Sequence, residues 1–457
     1  MKPVSIILLA CFYISAAASV AADSAPAAAA PVNPDLAAGI TELTVDQAVS
    51  GHPGGFALLT RGQYQYVAYY NAARRMCVAQ RRLGEKEWTI TGLDSVVGWD
   101  SHNYIRMAFD RDGRLHLSGN MHVDPLVYFR GEKPDDASSL RRMPGMTGRR
   151  ESRATYPRFF YSPGGALVFS YRDGESGRGD TLYNIYDEKT RAWRRLLDQP
   201  LFDGRGEMSA YPAGPDLGPD GYYHLTWVWR DTMAAETNHD LGYARSRDLV
   251  HWETVAGAPV RLPVTISTPG VIVDPVPVEG GIINGSGLAG FDHQKNVVIA
   301  YHKFDAAGLT QLYLARFIDG RWQSTQASRW NYRWYFHGGG SLVAEIRHGA
   351  PAPRGDKLAI SIRHPGLGSG LWLVEPRTLQ LIRKIPSGEP ALPARLRKPQ
   401  SPFPGMEVRT AGDSSPVKTP GANYRLHWES LPNYRDRPRP QPWPEPATLR
   451  VVVLPLP

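Results

Sequence analysis

The chain has 457 residues, 42% hydrophobic and 21% charged, with 45 Gly, 39 Pro, 12 Trp and 22 Tyr. This composition excludes a largely disordered chain and favours many short strands and turns over long helices. The formal net charge of +8 suits an acidic partner without naming one.

The first stretch, "MKPVSIILLACFYISAAASVAAD", has one Lys, an apolar run and then small residues, the order of a secretory signal peptide. We assign residues 1–22 to it and residues 23–40 to a low-complexity Ala/Pro leader. "LLAC" only faintly matches a lipoprotein box, and no apolar run has the length of a bilayer span. The expected location is therefore secreted or periplasmic, with no stable membrane insertion. Removal of the leader leaves Cys77 as the only cysteine, which excludes an intrachain disulfide and a multi-cysteine zinc site.

From residue 41 onward the chain repeats. One unit is a polar turn with Gly leading into a strand: "FDRDGRLHLSG", "YSPGGALVFSYRD", "LGPDGYYHLTWVWRD" and "GFDHQKNVVIAYHKFD". A second unit recurs among them as a strand, a small polar turn and often a Trp, at Trp88, Trp193, Trp252 and Trp322. Period-two alternation in "LHLSG", "ALVFSYR" and "YYHLTWVW" predicts strands with one buried face. Copies lie about 50 to 70 residues apart, the spacing of four-stranded propeller blades; a solenoid is the second architecture. Six copies are clear. We expect one all-β propeller domain over 41–457, with the Pro-rich part 385–457 completing the ring through "NYRLHWESL" and "TLRVVVL".

Within the repeats, "WDSHNYIRMAFDRDGRLHLSGNMH" sets His102 and His122 at the two ends of a strand–turn–strand unit. "DSHNY", "MHVDPLVYFR", "RATYPRFFYSPGGALVFSYRDGESGRGD" and the stretch from Tyr211 to Asp248 resemble the propeller polysaccharide lyases of the BNR-repeat-like group, including ulvan lyases and rhamnose–glucuronate lyases. The resemblance is clear over residues 94–248 and loose elsewhere. It implies a seven-bladed β-propeller and β-elimination on a uronic-acid-containing polysaccharide, ulvan-like, with glucuronate or iduronate next to rhamnose. His102, His122, Tyr156 and Arg172 match the lyases' catalytic positions, and Tyr211 is a supporting position.

The chemistry explains why such residues belong together. Elimination removes H5, α to the carboxylate, and expels the sugar at O4. A cation must disperse the charge that builds on the carboxylate, and Arg172 is the candidate, since a guanidinium fork grips a carboxylate through two hydrogen bonds. Tyr156 serves as base and acid if neighbouring positive charge lowers its pKa, and His102 is its partner, histidine being the side chain suited to proton transfer near neutral pH; His122 supports the pair or shares the role. Asn103 and Tyr211 are candidate sugar or carboxylate contacts, and Arg230, at the end of its strand, is a third.

Each residue also has a structural reading. The histidines suit satisfied strand ends, Tyr156 before Pro157 a core aromatic, and Arg172 a loop pair with Asp173 or Asp180. For His224 and Trp227 packing is the better assignment. No cofactor is required by the chemistry. Oxygen-rich "NHD" (238–240) and the loop 173–180 are candidate seats for structural calcium, and His122 or His239 for zinc, although neither loop has EF-hand spacing. The expected partner is an anionic polysaccharide, not nucleic acid, because the basic residues are scattered among the repeats and no DNA-binding motif occurs; a monomer is expected. "ARSRDLVHWE" also resembles five-bladed glycoside hydrolases and a short sialidase box. That reading needs two carboxylates, for which Asp124, Asp231 and Glu236 are the candidates. A non-catalytic carbohydrate-binding propeller is the third reading.

Overall fold

The structure is a computed structural model that describes residues 40–386, 392–417 and 419–455. The leader assigned to residues 1–22 and nearly all of 23–40 lie outside the described residues. Among the described residues secondary structure is almost entirely β, with three-residue 3₁₀ turns at Ala137–Ser139, Ala235–Thr237 and Ala394–Leu396. Among the described residues no helix is long and apolar enough to cross a membrane.

Among the described residues the strands form six sheets, most of them antiparallel meanders of four. Ala57–Arg61 to Thr89–Val96 make one, Ile105–Phe109 to Leu140–Arg142 the next, and Leu288–Phe291 to Arg321–Gln326 a later one. Between them lies an eleven-stranded sheet holding two successive meanders, Ala154–Tyr161 to Ala192–Arg195 and Ser209–Leu217 to Trp252–Glu253. A single parallel pairing, Gly179 with Ser209, joins the two. A further sheet is built on Lys357–His364, Gly368–Val374 and Leu381–Ile385. In the last, Thr41–Ala48 pairs with Ala447–Pro455, which pairs with Ala422–Ser430.

The repeated turns have a shared cause. Asp110 and Asp292 each turn a carboxylate oxygen onto backbone N–H groups of their own hairpin, at Arg114 and at Gln294 and Asn296, and Ser162 does the same with a hydroxyl for Ala166. Asx and Ser turns of this kind fix the hairpin locally. The strands they feed depart from the expected one-sided burial. Leu115–Gly119 and Tyr223–Arg230 are buried at every position. They are inner strands of sheets covered on both faces, so alternation here separates apolar from hydrogen-bonded polar residues rather than inside from outside. His116 bonds Asp110 and Tyr128, and His224 bonds Asp220 and Tyr243, each imidazole spanning turn and neighbouring strand. Trp193 donates to the same Tyr128 hydroxyl. Packing is the role of His224 and of Trp227, which is 1% exposed.

Candidate active site

Three short-range devices aim side chains at one region. Asp100, two residues before His102, accepts the His102 backbone N–H at 2.8 Å and its Nδ1 at 2.7 Å. The other oxygen of the same carboxylate takes His122 Nδ1 at 2.5 Å. The two imidazoles stack with centroids 4.0 Å apart. With both Nδ1 atoms turned to Asp100, both Nε2 atoms face the far side of the rings. Burial opposes the charge of Asp100, but the bonds from His102 and His122 outweigh it and hold the carboxyl well below its usual range.

Tyr156 is aimed by a bulge. Thr155 pairs with Arg172 and Arg158 with Ser170, so Tyr156 and Pro157 stand opposite Tyr171 alone. Tyr156 has φ of 60°, costly for a bulky residue and of the kind that collects at functional sites. Its ring lies edge-on to His102 at 5.6 Å. Thr155 also pairs with His122, so His122, Thr155 and Arg172 occupy one row across three strands. Val123, next to His122, is another left-handed residue, at φ 62°.

Arg172 is 3% exposed and lies 4.9 Å from the Tyr156 ring. Its Nη1 donates to the Tyr211 hydroxyl at 3.1 Å and its Nε to the Gly174 carbonyl at 3.2 Å, while Nη2 has no partner. Gly179 is required beside it, since a Cβ there would meet Arg172 Cδ at 2.7 Å. Arg172 has used Nε and one N–H of Nη1, which leaves the second N–H of Nη1 and both of Nη2 without a bond. One expectation is corrected by this geometry. The Tyr156 phenol is raised, not lowered: burial and Tyr211 push it up and outweigh the charge of Arg172. The loop pairing of Arg172 is also absent, because Asp173 and Asp180 are both held by Arg150.

His102, His122, Tyr156 and Arg230 line one cavity of about 540 Å³, together with Ser176, Asn284 and Asp436. Arg172 and Tyr211 are not among its lining residues; they lie behind Tyr156 and Ser176, whose Oγ is 2.7 Å from the Tyr211 hydroxyl. Tyr156 and Tyr211 also line a second cavity of about 680 Å³ bordered by Tyr104, Arg106 and Arg158. Arg230 spends its guanidinium on the carbonyls of Thr232, Met233 and Ala234. Asn103 is 7% exposed and outside the cavity lining, with its backbone carbonyl taken by the Tyr70 hydroxyl.

Sequence reasoning missed Asp100 and Asp436. The first was legible as an Asp two residues before a His. The second was not: it arrives from the Pro-rich C-terminal region, accepting the backbone N–H groups of Ser101 and Ser341 and standing 3.7 Å from His102 Nδ1. Among the described residues Asp100, His102 and His122 are the group with metal-ligand proximity, and the carboxylate already serves both rings. The acids proposed for calcium are otherwise engaged: Asp173 and Asp180 with Arg150, Glu175 with Arg153, and Asp240 with His239. The hydrolase carboxylates are dispersed in role as well. Asp231 holds His239, Glu236 accepts from Gly338 and pairs with His337, and Asp124 accepts the His122 N–H.

A family model described as "BNR repeat-containing family member" matches residues 64–330. The chain belongs to this BNR repeat-containing family. No curated protein matches it. The fold of this BNR-repeat chain is similar to that of polysaccharide lyase Uly1, with a TM-score of 0.60 at 13% identity over 91% of this chain and 99% of that one. It is also similar to a PL25 ulvan lyase, at TM-score 0.58 and 13% identity over 90% of this chain and 95% of that one. The same holds for an ulvan lyase structure bound to -[GlcA(1-4)Rha3S]-, at TM-score 0.57 and 13% identity over the same shares. The BNR-repeat fold is thus shared, all-β, with solved polysaccharide lyases.

Proposed function

We propose that this BNR-repeat protein is an exported polysaccharide lyase that cleaves a uronate-containing, ulvan-like chain by β-elimination. The fold proposed with it is a seven-bladed propeller, since counting the eleven-stranded sheet as two meanders brings the six sheets to seven units. The observation that carries the function is the convergence of two Asp100-bound imidazoles and a strained tyrosine on one cavity, with a buried guanidinium packed behind the phenol.

The roles follow from protonation. A phenol held protonated by burial is a proton donor, and an imidazole whose Nδ1–H is given to a carboxylate is an acceptor at Nε2. In this reading Nε2 of His102, or of His122 stacked on it, takes H5 of the uronate. The C5–H electron pair becomes the C4=C5 double bond, the C4–O4 bond breaks, and Tyr156 gives its proton to O4. The products are an unsaturated uronate and a free hydroxyl on the leaving sugar, with no water consumed. The charges of Arg172, behind Tyr156, and of Arg230, at the cavity, stabilise the carboxylate as negative charge develops in the transition state.

The test is a panel of uronate polysaccharides followed by ultraviolet absorbance of the unsaturated product. Tyr156→Phe and Arg172→Ala are each expected to lower kcat by about 10² or more while leaving the fold intact. Reducing ends without the double bond would establish a hydrolase, and no product at all a binding protein; either overturns the reading.

A further inference from the structure

The same cavity has a second wall that the elimination chemistry leaves unused. His302, from strand Val297–Phe304, and His348, from strand Arg347–His348, line it with Ser286. Their rings meet at 80° with centroids 5.8 Å apart. His302 is 3% exposed and Ser286 4%, yet both ring nitrogens of His302, the Nε2 of His348 and the Oγ of Ser286 have no hydrogen-bond partner. Buried polar atoms are ordinarily satisfied, and four unsatisfied ones in three residues that line one cavity set this wall apart from the rest of it. Ile283, Leu342 and Ile346 border them with apolar surface.

The chemistry of the wall selects the ligand. Burial pushes His302 down to about 3, with His348 adding to the effect, and His348 down to about 4, so both rings are neutral at neutral pH. A neutral imidazole offers one donor and one acceptor, and a hydroxyl oxygen of serine offers both. Sugar hydroxyls have the same dual character, and the apolar flank suits the C–H face of a pyranose. A carboxylate or sulfate, which only accepts, would leave the acceptor nitrogens unpaired.

We propose that His302, His348 and Ser286 form a subsite for an uncharged pyranose unit adjoining the uronate in the bound chain. It rests on the lyase reading for its substrate and positions the chain rather than taking part in proton transfer.

The test compares wild type with Ser286→Ala and with His302→Leu, which keeps bulk while removing both nitrogens. The probes are unsulfated di- and tetrasaccharides alternating glucuronate and rhamnose. Expected is a loss of the advantage in kcat/KM that the tetrasaccharide holds over the disaccharide, carried by a KM about five- to tenfold higher. Equal kcat/KM ratios in wild type and in a Ser286→Ala protein of native melting temperature would overturn it. Calorimetric titration with the tetrasaccharide separates this from the lyase reading. Weaker binding to the variants supports the subsite even if wild type makes no unsaturated product, and absence of binding to wild type overturns it. Titration with zinc alone is the control, since stoichiometric zinc binding abolished in His302→Leu would make the wall a metal site instead.

Discussion

Asp100 is the residue on which the site geometry turns. One carboxylate, charged because two N–H donors face it, sets the tautomer and direction of both imidazoles. Asp100→Asn keeps the size but replaces one acceptor oxygen with a donor, so one ring must turn or reprotonate. In the lyase reading kcat falls about 10² or more while KM stays within about twofold, because substrate contacts are untouched. Steady-state kinetics alongside a melting curve checks this; a raised KM with normal kcat would place Asp100 in binding instead. The histidine pair and Tyr156 were legible because they lie in short quotable motifs. The state of Tyr156 was not, since the balance between burial and the charge of Arg172 is set by groups brought together from different strands.

At the scale of the element, the hairpin brace does the structural work that repeats imply. Asp110, His116 and Tyr128 connect a turn, an inner strand and its neighbour, wholly out of water. His116→Leu fills similar volume but leaves a carboxylate and a phenol without their partner. We expect destabilisation of about 1–3 kcal/mol, read as a lower urea midpoint with unchanged m-value. A variant as stable as wild type would reduce the brace to filler. Repeat positions were visible in sequence because each turn is local. The one-sided burial expected for these strands failed because covering of the second face comes from adjacent sheets, which a strand's own alternation does not encode.

For the whole molecule, two consequences follow from how the ends meet and what is buried. Ala447–Pro455 lies between Thr41–Ala48 and Ala422–Ser430, so truncation before Ala447 removes two ladders at once. The truncated chain is expected to be insoluble or to lose its cooperative melt, read by solubility and calorimetry. Stability also depends on pH. His52, His302 and His348 are held below their ordinary 6.5 by burial, at about 4, 3 and 4. A base with a depressed folded pKa binds its proton more readily when unfolded, so its contribution is complete above 6.5 and declines as pH falls toward 4 and 3. The melting temperature should drop steadily from pH 7 to pH 4; a flat profile would show these rings reach solvent.

By itself the sequence determined the β-rich class and the repeated turns and singled out the His, Tyr and Arg candidates, because turn chemistry and short motifs act through neighbours along the chain. Only the tertiary structure decided that Asp100 serves two rings, that Arg172 keeps one free nitrogen behind Tyr156, and that Asp436 reaches His102 from the far C-terminal region. Those facts depend on strand register and on side chains brought together from separate strands and loops, and no local pattern records that meeting.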